Sequence, residues 1–345
     1  MARVTLKTIA TECGVSISTV SLALSGKGKI SPDQVEKIRE AARKLGYVPN
    51  PLLASLASKR FRSGQGAEGN LVALLEFPLE LQGRRSTGAN YRKDLQQTCR
   101  ELGYQPEYFN YDQMASYADL ATTLYRRGTQ GIIISGQPDS RFFEDRQKWS
   151  SFCIVQCGRY RSGLPVHTVR PDIFRSIKLI FTQLRKMGYQ RIGFGFGRHF
   201  PMVEDDESRI ATAMAMQEFY TRPKDRVPIY MGDFSQQESF LKWFKNAKPD
   251  VVIAFSEAQY YYLKDAGYRI PEDVGFASLH LHLPRPAEAL QTGGLEQRRD
   301  KIARQSVILM DQLIRHNSRG FPETPRDVLI NSEWHMGKTL LNRNG

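Results

Sequence analysis

The chain has 345 residues, which is too long for one compact core and predicts two or three domains. With 41% hydrophobic and 25% charged residues it is globular rather than disordered, and its apolar runs are far shorter than a membrane span. The net charge of +13 makes an acidic partner such as nucleic acid worth testing. Residues 1–63 carry eleven basic and four acidic side chains, so more than half of this excess is N-terminal.

The sequence also bears on the cellular compartment and on the state of the cysteines. Lys7 and Glu12 interrupt the first residues, so they do not form the apolar core of a secretory signal, and we expect a cytoplasmic protein. Four cysteines are too few for a disulfide framework and are predicted to be buried small hydrophobic residues: Cys13, Cys99, Cys153 and Cys157. A metal site combining the last two with His280 and His282 is the weaker alternative, so the sequence predicts no metal and no cofactor.

The N-terminal segment has the pattern of two short helices joined by a glycine turn. Apolar residues three and four apart predict a first helix that ends at Gly14. Ser16 can cap a second helix over residues 17–24, in which Val20 and Ala23 face inward. This arrangement predicts a helix-turn-helix, with a plain helical bundle as the alternative. The outward face of the second helix is Ile17, Ser18, Ser21 and Leu22.

Two further helical segments follow. Ser31, Pro32 and Gln34 predict a capping box that opens a third helix. Residues 50–58 predict a fourth helix of about two turns, whose leucines are too many for an isolated helix in water. This segment therefore needs a partner surface. The basic residues after it suit phosphates on either side of a groove into which a leucine inserts: Lys59, Arg60 and Arg62.

The matching text TLKTIATECGVSISTVSLALSGKGKIS through VEKIREAARKLGYVPNPLLASLASKR resembles the lactose repressor and purine repressor family of bacterial transcription regulators. The resemblance covers about 56 residues. It implies that Ile17, Ser18 and Leu22 read bases in the major groove of double-stranded operator DNA. It also implies that residues 50–58 form a hinge helix, with Leu56 wedged into the minor groove. The other implied DNA contacts are Thr5, Ser16, Thr19, Lys27 and Asn50.

The recognition helix departs from better-known members of this family. Ile17 and Leu22 replace polar or basic side chains that could donate to base edges. Direct readout is therefore predicted to depend on Ser18 and on apolar contact with thymine methyl groups. Leu56 favours a central base step that unstacks easily, such as CG, CA/TG or TA.

The composition of residues 63–69 predicts a flexible linker, after which predicted strands and helices alternate. The predicted strands are 71–75, 105–109, 131–135, 152–156, 191–196, 227–230, 251–255 and 274–279. The predicted helices are 91–102, 117–127, 142–149, 173–187, 208–220, 236–246 and 258–266. Helix stops are expected at Gly103, Gly188 and Gly267. This alternation predicts parallel sheets covered on both faces.

The predicted fold class is an all-α helix-turn-helix headpiece joined to an α/β core of two doubly wound parallel-sheet lobes, which by resemblance is similar to a periplasmic binding protein. The expected domains are residues 1–49 for DNA binding, 50–69 for hinge and linker, and 70–345 for effector binding and dimerisation. Lobe 1 is expected at 70–166 plus 292–325, and lobe 2 at 167–291 plus 326–345.

Ligands in such folds bind at the carboxyl ends of the strands, here in the cleft between lobes. Arg209 matches the family's arginine that reaches an effector, and His280 falls where many members have an aspartate. The chain after Phe255 is about six residues shorter than usual, which removes an Asn-Asp pair. A sugar, an anion and the absence of any effector therefore stay open. The other candidate effector residues are Phe77, Tyr91, Gln156, Arg159 and Glu257.

The sequence thus predicts a homodimeric repressor with a small-molecule effector, associated with the nucleoid when bound to DNA, and with no membrane segment. Residues 193–197 are glycine-rich but lack the spacing of a phosphate-binding loop, and no GxSxG or HExxH sequence occurs, so an enzyme is not predicted. The alternatives are a regulator whose core only dimerises, and a solute-binding protein or enzyme with a basic helical appendage.

Overall fold

The chain divides into two compact units, residues 1–66 and 67–345. The structure is a computed structural model that describes residues 6–24, 30–45, 71–77, 79–81, 84–86, 91–110, 116–136, 138, 141–158, 165–199, 202–233, 235–255, 257–281 and 291–344. Within these ranges, every helix is too short or too polar to cross a membrane.

The N-terminal unit contains three helices around one small core. They are α1 (Leu6–Cys13), α2 (Ile17–Leu24) and α3 (Pro32–Lys44). Ile9, Val20 and Ile38, one from each helix, are completely buried against one another. Gly14 takes the left-handed conformation, with φ of +66°, in the turn between α1 and α2. The predicted helices and their inward-facing residues are confirmed.

The predicted capping box at α3 is wrong. Ser31 is the residue before the helix and Pro32 is its first residue, but the Ser31 side chain accepts no capping hydrogen bond. The helix start is set by the backbone instead, because proline fixes φ and the Val35 amide donates to the Ser31 carbonyl at 3.1 Å. The predicted fourth helix, with Asn50 and Leu56, lies outside the described residues.

The C-terminal unit is an α/β structure. Its strands are β1 (Leu71–Glu76), β2 (Leu79–Leu81), β3 (Arg84–Ser86), β4 (Gln105–Asn110), β5 (Gly131–Ser135), β6 (Cys153–Cys157), β7 (His167–Pro171), β8 (Ile192–Phe194), β9 (Val251–Ala254), β10 (Gly275–Leu281), β11 (Gly293–Glu296), β12 (Asp327–Ile330) and β13 (Glu333–His335). Its α-helices are α4 (Arg92–Glu101), α5 (Tyr117–Arg126), α6 (Arg141–Glu144), α7 (Ile173–Lys186), α8 (Glu204–Tyr220), α9 (Gln237–Ala247), α10 (Ala258–Asp265) and α11 (Arg299–Arg315).

Lobe 1 is built on a parallel sheet of six strands in the order β12-β7-β6-β5-β1-β4. Side chains alternate between its faces, as the pleat requires. Val72 and Leu74 of β1 pack with α4 and α11 on one face, while Ala73 and Leu75 pack with α5 on the other. Both faces are therefore covered by helices, as the continuous apolar strands predict.

Lobe 2 has a five-stranded sheet in the order β13-β11-β10-β9-β8. Four of its strands are parallel, and β13 is antiparallel to β11. The aliphatic and aromatic residues of α7 and α8 cover one face, and those of α9 and α10 cover the other. The predicted fold class of two doubly wound lobes is confirmed, with one antiparallel edge strand added.

Three strands lie across the expected lobe boundaries. β7 and β12 belong to the sheet of lobe 1, where Asp327 pairs with Thr168, and β11 belongs to the sheet of lobe 2. The chain therefore crosses between lobes after β7, β11 and β12, a few residues from the expected positions. Strand ladders decide lobe membership, and none of these three strands is among the predicted elements.

Several predicted elements need correction. Residues 227–230 are not a strand, because Pro228 has no amide to donate and only Tyr230 bonds to β8, through the Phe194 carbonyl at 3.0 Å. α8 begins at Glu204, four residues before the predicted start. The helix α11 is absent from the predicted elements. The glycine helix stops are confirmed by positive φ at Gly103, Gly188 and Gly267.

All four cysteines are buried free thiols, as predicted. Cys153 and Cys157 lie on one face of β6 inside the core of lobe 1. Burial raises the pKa of Cys153 to about 11 and that of Cys157 to about 12. These two side chains are core packing and not ligands.

Candidate functional site

The outward face of α2 carries two exposed large apolar side chains. Ile17 is 48% exposed and Leu22 is 40% exposed, whereas Val20 and Ala23 on the opposite face are buried. Ser18 lies on the same outward side as the two apolar residues and is also exposed. A short helix whose inner face is already buried, and whose outer face carries exposed apolar residues, is suited to contact a partner surface.

Hydroxyl groups cluster at the amino end of this helix. The Ser16 Oγ accepts a hydrogen bond of 3.0 Å from the Thr19 amide, which confirms the predicted cap of α2. The same oxygen lies 2.8 Å from the hydroxyls of both Ser18 and Thr19. Hydroxyls beside a helix amino terminus are donors that suit a phosphate group.

Exposed lysine and arginine side chains surround the three helices. Lys7, Lys37 and Arg39 are exposed, and two ion pairs join α3 side chains, at 3.0 Å for Arg43 with Glu36 and at 3.1 Å for Lys44 with Glu40. Exposed pairs of this kind contribute little to stability. The remaining predicted DNA contacts lie outside the described residues: Thr5, Lys27, Asn50 and Leu56.

A second candidate site is a cleft of about 110 Å³ between the two lobes. Three of the predicted effector residues line it, namely Tyr91 from lobe 1 and Arg209 and His280 from lobe 2. Gly158, with φ of +90°, lets the Tyr91 ring lie directly on the backbone, since an added Cβ would be 2.7 Å from Cε2 of that ring. The other lining residues are Gly136, Pro171, Ile173, Asp205, Gln297 and Arg299.

Arg209 is held in place from behind. Its guanidinium donates to Asp206 and lies 4.7 Å from the centroid of the Phe255 ring. The Asp206 carboxylate in turn accepts a hydrogen bond of 2.8 Å from the backbone amide of His199, and it lies 2.9 Å from the His199 Nδ1. All three polar residues of this group are at least 96% buried, which orders the arginine before any ligand arrives.

The environment of His280 is aromatic. Its ring centroid lies 4.5 Å from that of Phe255, the same ring that contacts Arg209. Its backbone amide donates to the Ser278 Oγ at 3.1 Å. Phe255 thus contacts both Arg209 and His280, the two predicted effector residues of lobe 2 that line the cleft.

Three other predicted effector residues lie in the described part of the chain but do not line the cleft. Phe77 is buried against Phe142 at 5.7 Å between ring centroids, and Gln156 is buried and donates to the Gly136 carbonyl at 2.8 Å. Glu257 accepts the Thr292 hydroxyl at 2.9 Å. Arg159 lies outside the described residues.

Sequence reasoning missed three charged or amide residues of the cleft. Asp205 is in the first turn of α8, Arg299 is the first residue of α11, and Gln297 lies on the crossing before α11. A usable signal existed, because helices in doubly wound lobes begin at the carboxyl ends of strands and direct their first turns toward the ligand edge. This signal identifies Arg299 only if α11 is predicted, and α11 is not among the predicted helices.

The glycine-rich stretch 193–197 serves packing. A Cβ on Gly193 would be 2.8 Å from Pro249, and one on Gly195 would be 2.7 Å from Val252. These glycines let β8 approach its neighbours closely. Within the described residues, the one group of clustered metal-ligating side chains is Glu296, Glu333 and His335, and Arg298 lies 2.5 Å from a Glu333 oxygen there.

The helix-turn-helix matches a family model. Residues 5–50 match the model for bacterial regulatory proteins of the lacI family. The chain is 29% identical over 210 residues to the maltose regulon regulatory protein MalI of Escherichia coli K12, covering 56% of this chain and 53% of that protein. It is 24% identical over 286 residues to catabolite control protein A of Staphylococcus xylosus, covering 80% of this chain and 82% of that protein.

The architecture matches a solved structure as well. The lac repressor dimer bound to operator and the anti-inducer ONPF has a TM-score of 0.60 and 17% identity, over 99% of this chain and 100% of that one. At this identity the likeness shows the fold, which is the two-lobed architecture that the sequence predicts. The relatives named are regulatory proteins and not enzymes. Residues 5–50 are therefore similar to the lacI family of bacterial regulatory proteins, and the rest of the chain shares the fold of the lac repressor.

Proposed function

We propose that the protein is a sequence-specific DNA-binding transcription regulator that represses genes by binding a palindromic operator as a homodimer. The observation that carries the proposal is the outward face of α2, where Ile17 and Leu22 are exposed beside Ser18. An apolar surface on a basic helix-turn-helix suits the major groove, where thymine methyl groups lie beside polar base edges. The operator-bound dimer of the lac repressor supports the same arrangement.

The proposal assigns residues 1–49 to DNA binding, 50–69 to the hinge and linker, and 70–345 to effector binding and dimerisation. Ser16 and Thr19 would contact phosphates through the hydroxyl cluster at the start of α2. The resemblance adds phosphate contacts at Thr5 and Lys27 and a minor-groove wedge at Leu56. The protein would work in the cytoplasm and be associated with the nucleoid when bound to DNA.

Gel retardation on a selected operator fragment tests this function. Leu22→Ala and Leu56→Ala should each weaken specific binding about fivefold or more, since loss of recognition at one base pair costs about 1–3 kcal/mol. Phe219→Ala is the matched control, because it removes an exposed apolar side chain from α8, outside the N-terminal unit. Retardation that is equal for all variants and depends only on salt would mean that charge alone binds the DNA.

We further propose that the interlobe cleft binds a small-molecule effector, a sugar or related compound. An aromatic ring from lobe 1 and polar groups from both lobes suit a polyhydroxylated ligand: Tyr91, Arg209, Gln297 and Arg299. The E. coli relative is named for a regulon of maltose, a sugar. A ligand that contacts both lobes would favour one lobe arrangement and so change operator affinity.

A metabolite panel screened by thermal shift, followed by calorimetry, tests the effector site. Arg209→Lys keeps the charge but loses the planar fork, so it should weaken binding of any hit about tenfold. Arg226→Lys is the control, because Arg226 pairs with Glu218 on an exposed part of lobe 2. The lack of a shift across the panel with wild type would favour a core that only dimerises.

A further inference from the structure

A groove between α7 and α8 lies apart from the interlobe cleft. It encloses about 250 Å³, and the cleft shares none of its lining residues. The groove is lined by Lys178, Phe181, Thr182 and Arg185 of α7 and by Met216 and Tyr220 of α8. It is therefore a separate feature of lobe 2.

The base of the groove is apolar. Phe181 and Met216 belong to the core of lobe 2 and are 4% and 2% exposed, so they present only their outer surfaces. Tyr220 is 54% exposed and forms a wall. An aromatic ring and a thioether at the bottom of a groove suit the body of an apolar ligand.

The charged lining of the groove is entirely cationic. Lys178 and Arg185 are its charged residues, and the described lining contains no carboxylate. The Lys178 Nζ lies 5.8 Å from the centroid of the Tyr220 ring. The Arg185 Nη1 is fixed by the Tyr189 carbonyl at 3.2 Å and the Gln190 side-chain oxygen at 3.0 Å. This guanidinium is therefore held in one place at the groove.

The net charge of α7 extends the same pattern. The helix contains four basic residues and no acidic one, namely Arg175, Lys178, Arg185 and Lys186. An anionic group entering the groove would meet no repulsion from this helix. It could form a charge-assisted hydrogen bond with Arg185 or Lys178 while the apolar part covers Phe181 and Met216.

We propose that this groove is a second ligand site, which binds a small amphipathic carboxylate. The apolar body lies on Phe181 and Met216, and the carboxylate pairs with Arg185 and Lys178. The site is independent of the DNA-reading surface and of the cleft. It shares the helices α7 and α8 with the cleft but no lining residue. Ile173 and Arg209 line the cleft near the starts of these helices, and the groove lies farther along both.

Calorimetry on the full chain with three probes tests the assignment. Octanoate supplies both the chain and the charge, octan-1-ol supplies the chain alone, and acetate supplies the charge alone. Octanoate should bind about tenfold more tightly than octan-1-ol, because a hydrogen bond between charged groups is stronger than one to a neutral hydroxyl. Acetate should not bind measurably.

Variants locate the site. Lys178→Gln and Arg185→Gln should each weaken octanoate binding about fivefold or more and leave octan-1-ol unchanged. Thr182→Trp, at an exposed position, should fill the groove and abolish binding of both. Lys186→Gln is the matched control, because it removes one positive charge from the same helix at a residue that does not line the groove. Lys178 is exposed, so its replacement should leave the free energy of unfolding nearly unchanged.

Three results would overturn the proposal. Equal affinity for octanoate and octan-1-ol would show that the cations play no part. An equal loss for Lys186→Gln and Lys178→Gln would reduce the effect to the general charge of α7. Binding of an acidic amphipathic helical peptide without binding of octanoate would make the groove a protein-docking surface. These measurements use neither operator DNA nor variants of the cleft. Their outcome is therefore independent of whether the proposed function is right.

Discussion

At the scale of single residues, Asp206 organises the lobe 2 wall of the cleft. Its carboxylate is completely buried and accepts from the His199 amide at 2.8 Å, the His199 Nδ1 at 2.9 Å and the Val203 amide at 3.1 Å. It also pairs with the buried Arg209. One side chain thus ties the loop after β8 to the first turns of α8 and fixes the arginine that faces the cleft.

Asp206→Asn should destabilise the C-terminal unit by about 3–5 kcal/mol, because it leaves the Arg209 charge buried without its partner. The free energy of urea unfolding, followed by tryptophan fluorescence, measures this loss. Glu218→Gln on the same helix is the control and should cost less than about 1 kcal/mol, since it breaks only an exposed pair with Arg226. Equal effects of the two substitutions would contradict this account of Asp206.

The stability of this unit should also depend on pH through Asp206. Burial alone would raise the pKa of this carboxyl, but the hydrogen bond from His199 and the charge of Arg209 outweigh burial and hold its pKa below the usual range. A lowered folded-state pKa stabilises the protein above the unfolded pKa of about 4, and this contribution is lost as the pH falls further. The free energy of unfolding should therefore fall less steeply with acid in Asp206→Asn. Parallel profiles for wild type and variant would contradict the prediction.

Ile17 and Leu22 lead to a prediction about DNA methyl groups. Replacing thymine by uracil in the selected operator removes only the methyl group, so it should weaken wild-type binding at contacted positions by about 1 kcal/mol. In Ile17→Ala the same replacement should have no effect at the position that Ile17 contacts. The binding free energies of the four combinations, measured by fluorescence anisotropy, give the coupling. Additive effects would show that Ile17 does not contact a methyl group.

The sequence predicts some site residues better than others for a geometric reason. Strand ends identify the ligand edge of a sheet and so indicate Tyr91, whereas Arg209 and His280 are predicted from the family resemblance, and all three line the cleft. Strand ends do not specify where each side chain points. Phe77 and Gln156 also follow or end strands, yet they turn into the lobe and are buried. Only the three-dimensional register distinguishes these cases.

At the scale of elements, the acidic run before Arg209 shows how a helix start is misjudged. Residues 204–207 are all Glu or Asp, a composition typical of a loop, yet they form the first turn of α8. Acidic side chains stabilise the amino end of a helix through its dipole. The missed strand β12 is different, because it gains its hydrogen bonds from β7, a partner distant in sequence, where Asp327 pairs with Thr168.

Ser16 and Ser31 each stand directly before a helix of the N-terminal unit, so their substitutions can be compared. Ser16→Ala removes the hydrogen bond from the Thr19 amide and should lower the local stability of α2 by about 1 kcal/mol. Ser31→Ala should have almost no effect, since the Ser31 side chain makes no capping hydrogen bond. Amide hydrogen exchange of the full chain without DNA compares the protection of α2 and α3 in the two variants. Similar losses in both helices would contradict the assignment of the caps.

At the scale of the whole molecule, the N-terminal part is easier to predict from the sequence than the division of the C-terminal unit into lobes. The basic excess of residues 1–63 marks the part that we propose binds DNA, and the sequence is sufficient to predict its three described helices and their core. The lobe boundaries are harder to predict, because the chain crosses between sheets three times and each strand joins the sheet that completes its ladder. Local patterns give the class of each element but not its sheet.

A homodimer that reads a palindromic operator should select its own binding site. Selection of bound sequences from random DNA by the full chain measures this. We expect enrichment of an inverted repeat, with thymines in each half-site and an easily unstacked step at its centre. Enrichment of no sequence, or of a single half-site without symmetry, would contradict this expectation.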